Sequence, residues 1–142
     1  MMPSRNGALP RSFMYIPADK PELFPKAAAG TADALILDLE DAVPLARKAE
    51  ARAGVRRWLT SGARAVPTAE GGGQQWWVRI SAESIAADLE AVFTPALAGI
   101  FLAKCTVASL AETAECLSRL EVECATTPRS VGVIGLVEKA AA

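Results

Sequence analysis

Five short apolar runs recur along this chain, and each of the first four is followed by a stretch of helix-forming composition. The runs are SFMYIPA (residues 12–18), ALILDLED (34–41), QWWVRIS (75–81), GIFLAKC (99–105) and SVGVIGLVEK (130–139). Between them lie PELFPKAAAG (21–30), LARKAEARAGVRRWL (45–59), SIAADLEAVF (84–93) and SLAETAECLSRLEVEC (109–124). An apolar run that ends abruptly in charge reads as a strand covered on both faces, as in a parallel sheet. Strands that alternate with helices imply repeated βα units joined by right-handed crossovers. Two architectures accept the pattern: a five-stranded doubly wound sheet, and part of a (β/α)8 barrel. In both, ligands bind at the carboxyl ends of the strands.

Within the helical stretches, Pro21 opens the first and Gly30 is placed to end it. Pro25 predicts a late start or a kink. Pro44 opens the second helix, for which Leu45, Ala49, Ala53 and Leu59 are the expected inward positions, with Gly54 a modest weakness. The segment TSGARAVPTAEGGGQQ (60–75) is polar and glycine-rich, and is expected to be a flexible surface loop. At 142 residues the chain suits one domain, 1–142, with a real core.

Composition narrows the function by exclusion. Half the chain is apolar (51%) and the net charge is −1, so a globular domain is expected. No basic stripe with interleaved aromatics supports nucleic-acid binding. No apolar run reaches the ~18 residues of a membrane-spanning helix. MMPSRNGALPRSF has no apolar core before a cleavage site, so the expected location is cytoplasmic. Cys105, Cys116 and Cys124 match no zinc pattern and are expected to be buried reduced thiols. Histidine is absent, which removes Ser-His-Asp and Cys-His mechanisms from this chain. Catalysis here needs carboxylates, Arg, Lys, a metal or a cofactor. Neither G-x-G-x-x-G nor G-x-x-x-x-G-K-[ST] occurs, and the GGG at 71–73 precedes a strand.

The strand ends carry the chemistry. The first exit has Pro17, Asp19 and Lys20; the second has Asp38, Glu40 and Asp41. Arg79 ends the third, Lys104 the fourth and Glu138 the fifth. Gathered on one face, these carboxylates and cations suit a hard metal and an anionic substrate. Glu138 has the chemistry of a Mg²⁺ ligand, Glu40 and Asp41 that of a pair holding metal-bound water, and Arg79 that of a carboxylate clamp. Each has a plainer alternative: acids capping the next helix, Arg79 and Lys104 in structural ion pairs, and Glu138 a solvated strand end. Tyr15, Trp76 and Trp77 are expected to be core or stacking aromatics, and Glu112 and Glu115 to be solvated.

RSFMYIPADKPELFPKAAAGTADALILDLEDAVPLARKAEAR resembles the start of citrate lyase beta-subunit-like proteins of the HpcH/HpaI aldolase superfamily, relatives of malyl-CoA and citramalyl-CoA lyases. The opening R-S-x-x-x-x-P, the LDLEDAV exit with K-x-x-A-R after it, VRI, DLEAV, LAK and GLVEKA fall in the family's order from Arg11 onward. The resemblance implies a Mg²⁺-dependent carbon–carbon lyase on a (β/α)8 barrel, usually a homotrimer or hexamer, acting on a hydroxyacyl-CoA thioester and a keto acid. It implies Glu138 as the first metal ligand and Arg79 as the grip on the keto-acid carboxylate. It further implies Glu40 and Asp41 as the pair ordering metal-bound water and that arginine, and Asp19 and Lys20 near the CoA phosphates. The chain departs from the pattern at Ala18 (usually Gly), Ala103 (usually Pro) and Lys139 (commonly Thr). The family's second metal ligand, an aspartate, falls beyond Ala142. A typical barrel takes about 250 residues. About five βα units are therefore expected here, and an incomplete barrel. The other reading is a non-catalytic remnant with an open α/β fold, acting as an oligomer or a partner-binding chain.

Overall fold

The computed structural model describes residues 9–63 and 74–139. Five strands form one parallel sheet: β1 (Phe13–Pro17), β2 (Ala34–Asp38), β3 (Gln75–Ile80), β4 (Leu97–Leu102) and β5 (Gly132–Gly135). Their spatial order is β1-β2-β3-β4-β5, every neighbouring pair parallel. The helices between them are α1 (Phe24–Ala28), α2 (Lys48–Arg57), α3 (Ile85–Val92) and α4 (Val107–Glu123). A doubly wound sheet reverses its strand order at a switch point. This order never reverses, which selects the barrel-type winding over the doubly wound one.

The main core confirms the same sidedness. Leu35, Leu37, Val78, Ile80, Ile100 and Leu102 point toward the helices and pack in one cluster with Phe24, Val55, Leu89 and Leu117. The opposite face carries a smaller cluster of Ala34, Ile36, Trp77 and Phe101, extended by Ile134 and Leu136. Period-two alternation puts Tyr15, Ile36, Trp77 and Gly99 in register across that inner face. Phe13 stacks edge-on against both Trp77 and Phe101, at 5.7 and 5.3 Å between ring centroids. Yet Phe13 and Tyr15 stay more than a third exposed, because β1 is an open edge. The barrel is not closed, as expected for five strands.

Several local expectations change. The buried stripe of α2 is Ala51, Val55 and Leu59, spaced four apart, while Leu45, Ala49 and Ala53 are exposed. Of the two outcomes expected from Pro25 the late start is the one found: α1 begins at Phe24 after a 3₁₀ turn at Pro21–Leu23, and Pro25 lies in its first turn, where a missing N–H costs nothing. α2 runs on into a π-helical turn at Trp58–Gly62, and Gln75 already belongs to β3. Of the expected loop at 60–75, residues 64–73 lie outside the described residues. α4 begins at Val107 rather than Ser109, because Thr106 and Ser109 cap it reciprocally. Pairing in β5 stops at Gly135, so Glu138 follows the strand rather than ending it. All three thiols are free, but only Cys116 is buried; Cys124 is exposed. Trp76 and Trp77 are core, and Glu112 and Glu115 are solvated, as expected.

Candidate active site at the strand mouths

Register brings the charged groups together. Asp38 is the last residue of β2 and lies opposite Arg79 on β3. Both follow the inner-face alternation, so their side chains emerge side by side at the carboxyl end of the sheet. Arg79 Nε donates to Asp38 Oδ1 at 2.8 Å and Nη2 to Oδ2 at 2.5 Å, a bidentate pair. The same Oδ1 accepts the Glu40 backbone N–H at 2.9 Å, which turns the chain after β2 and swings Glu40 back over the mouth. Tyr15 on β1 lies beneath the guanidinium, 4.9 Å from its carbon to the ring centroid. Asp38 thus holds Arg79 above its ordinary pKa, chiefly through these hydrogen bonds.

Glu40 is only 7% exposed, and its Oε1 is buried without a hydrogen-bond partner. Arg79 Nη1 is 3.7 Å from that oxygen. Burial, then the adjoining Asp41 carboxylate, raises the Glu40 pKa. Asp41 is exposed and shifts downward, first through its hydrogen bond with Glu40. Lys104 answers both acids from the end of β4, its Nζ 3.5 Å from Glu40 and 3.9 Å from Asp41. Those two carboxylates raise its pKa. Its backbone is left-handed, with φ 50°, and this turns its N–H toward Glu138, whose Oε2 accepts at 2.6 Å. From behind the mouth, Lys48 Nζ donates to the Leu39 and Glu40 carbonyls at 2.5 and 3.0 Å.

Arg79, Glu40, Asp41 and Glu138 therefore share one mouth, linked through Asp38 and Lys104. Asp19 sits apart: its Oδ2 pairs with Arg47 at 3.3 Å, while its Oδ1 is buried without a partner. Lys20 is exposed beside it. Two contributors had no role assigned from sequence. Asp38 was named only as an exit acid, and its place opposite Arg79 on the inner face is what makes it the partner. Lys48 gave no chemical signal of its own, while Tyr15, expected as a core or stacking aromatic, stacks beneath Arg79.

The donors at this mouth are carboxylate oxygens, the kind a hard divalent cation takes. Glu138 keeps Oε1 outside its bond to Lys104, and Glu40 Oε1 is an orphaned buried acceptor. Among the described residues no three Asp, Glu, Cys or His side chains converge closely enough to enclose an ion. The residues fit such a cation in donor type, without enclosing one.

A singly wound parallel sheet with acids and cations at its carboxyl edge defines a barrel-type α/β protein with its site at the strand mouths. The chain belongs to the HpcH/HpaI aldolase/citrate lyase family, whose model matches residues 11–142. It is 39% identical over 92 residues to a citrate lyase subunit beta-like protein of Mycobacterium tuberculosis, across 65% of this chain and 30% of that one. It is similar to protein CitE from Mycobacterium tuberculosis, solved with magnesium, acetoacetate and coenzyme A: 36% identity, TM-score 0.56, 92% of this chain and 40% of that one. The ternary pyruvate/acetyl-CoA complex of Haloferax volcanii malate synthase superposes with TM-score 0.75 at 13% identity, over 95% of this chain and 41% of that one. That likeness concerns the fold alone. The chain thus spans under half the length of these relatives. Among the described residues no helix is long and apolar enough to cross a membrane.

Proposed function

We propose that this chain carries the first part of the active site of a Mg²⁺-dependent carbon–carbon lyase, acting on a hydroxyacyl-CoA thioester of the citryl, malyl or citramalyl type. The observation that carries the reading is the Asp38–Arg79–Glu40–Lys104 mouth in a chain of this family. The CitE relative was solved with magnesium, a keto acid and coenzyme A, which supports the same ligand classes here.

Asp38 takes the side-on edge of Arg79, Nε and Nη2. The end-on edge, Nη1 with the second Nη2 proton, is left for the carboxylate of a keto acid. This refines the expectation that Arg79 clamps substrate: Asp38 orients it, and Glu40 and Asp41 stand beside it. Glu138 is the proposed ligand to magnesium, with Glu40 and Asp41 accepting from waters around it. Bound there, the cation supplies Lewis-acid polarisation of substrate oxygens. Asp19 and Lys20 are proposed to meet the CoA phosphates, Lys20 as an exposed cation. In this reading Asp19 holds Arg47 near the same groups. The reading further includes a cytoplasmic homo-oligomer, a trimer or hexamer.

The decisive experiment is turnover of malyl-CoA and citramalyl-CoA with Mg²⁺ when the remaining barrel strands are supplied, by a fuller chain or a second polypeptide. Activity that disappears in Arg79→Ala and Glu138→Gln, both still folded, is the expected result. A folded, complemented barrel without turnover overturns it in favour of a second reading. In that reading an open α/β domain binds another chain through its inner face. The exposed Phe13 and Tyr15 on the β1 edge favour this alternative.

A further inference from the structure

The mouth is close to electrically balanced before any ligand arrives. Asp38, Glu40, Asp41 and Glu138 face Arg79, Lys48 and Lys104, so four carboxylates meet three cations. Two of those cations are committed elsewhere. Arg79 is held by Asp38 on its side-on edge, and Lys48 points at backbone carbonyls. Lys104 differs from both. Its backbone is fixed by the left-handed turn and the bond to Glu138, while its half-exposed ammonium reaches across from β4 to the acids after β2. At 3.5 Å from Glu40 and 3.9 Å from Asp41 the ammonium is not tightly hydrogen-bonded to either. It sits there as a loosely paired, half-exposed positive charge. The buried, unpartnered Glu40 Oε1 marks an acceptor still unsatisfied with Lys104 in place.

We propose that Lys104 is a tethered counter-ion that weakens the affinity of this mouth for a divalent cation. This rests on the reading of Glu138 and the neighbouring acids as a magnesium site. A divalent ion beside Glu138 stands near the lysine ammonium, and the two repel. The chain alone then holds the ion weakly, and an anionic ligand brought in with it restores the charge balance. Removing the lysine charge leaves the carboxylates in place, because the bond to Glu138 comes from the Lys104 backbone and not its side chain.

The test is titration of the purified chain with Mn²⁺, free ion followed by electron paramagnetic resonance, at low salt. Lys104→Met removes the charge. Lys104→Gly removes it and also suits the left-handed backbone, so a folding defect in the first does not decide the matter. Both are expected to bind Mn²⁺ about fivefold or more tightly than the native chain, and Lys104→Arg to behave as native. The gain is expected to vanish between roughly 0.01 and 1 M salt, as the Debye length falls from about 30 to about 3 Å. A purely structural role for the lysine predicts no such salt dependence. Unchanged or weaker binding by both neutral variants overturns the proposal, as does absence of binding in all chains. Glu138→Gln in the Lys104→Met background separates the two claims. If tight binding survives it, Lys104 keeps its role and Glu138 loses its place as a ligand.

Discussion

Asp38 and Arg79 stand opposite each other on adjacent parallel strands and share two hydrogen bonds, with Asp38 3% exposed. Removing either partner strands the other charge in a half-dry setting, which costs about 3–5 kcal/mol for a buried pair. Arg79 retains some solvent contact, so the lower end applies. Asp38→Ala and Arg79→Ala are each expected to destabilise the chain by about 3 kcal/mol. The double variant is expected to lose less than the two together, by about 1–2 kcal/mol. Urea unfolding of the four proteins reads both numbers. Strict additivity sinks the idea that the pair acts as one unit.

Glu40 and Asp41 titrate against each other. The Glu40 carboxyl is raised, first by burial, so the fold holds its proton more tightly than the unfolded chain does. Its ionisation therefore costs stability as pH climbs from the unfolded value toward the folded one, and the full cost applies above both. Asp41, lowered chiefly by Glu40, works the other way: its contribution is present above its unfolded value and lost as pH falls through its folded value. Glu40→Gln is expected to stabilise the chain by about 1 kcal/mol at about pH 7 and to leave it unchanged at about pH 3. Thermal melts at the two pH values check it. A variant less stable at neutral pH shows instead that Arg79 and Lys104 outweigh burial.

The strands were legible because apolar runs with charged exits recur five times, and the exits of the second to fifth runs bring their acids and cations to one edge. The phase of α2 was not. Ala49, Ala51 and Ala53 offer no contrast in hydropathy, so only tertiary packing decides that Ala51 faces in. The fifth strand is expected to reach Lys139, yet its ladder ends at Gly135, opposite Leu102 at the end of β4, and beyond it the Leu136 carbonyl accepts from the Cys105 N–H. Asp38 was visible at an exit, but its role needed the register. Asp88 was invisible as a buried acid, since an aspartate in the first turn of a helix ordinarily faces water.

Gly99 is a test of the inner face. A Cβ there would sit 2.1 Å from the Trp77 ring, far inside contact distance. Trp77 is buried, stacked with Phe101 at 5.4 Å and tied to Gln75 by its indole N–H, so it has little room to yield. Gly99→Ala is expected to cost about 3 kcal/mol by overpacking, the upper part of the usual range. Trp77→Phe in the same chain is expected to restore part of that loss. Loss of the near-ultraviolet tryptophan signal together with the urea midpoint measures the effect.

Asp88 is fully buried in α3 and satisfies three donors at once: Arg52 Nε at 2.7 Å, the Ser81 backbone N–H at 3.1 Å and the Ser84 hydroxyl at 3.1 Å. It ties α2 to α3 and closes the turn that follows β3, the strand that carries Arg79. Asp88→Ala leaves the Arg52 guanidinium and a backbone N–H without their acceptor, at a cost of about 3–5 kcal/mol. Asp88→Asn keeps one carbonyl acceptor and is expected to cost about half as much. Arg52→Ala leaves Asp88 with two hydrogen bonds but no counter-charge, so it is expected to fall between them. Amide hydrogen exchange locates the damage: the Ser81 N–H is expected to lose protection in Asp88→Ala before the interior strand β2 does. Uniform loss across the sheet contradicts a local role and makes Asp88 part of the global core.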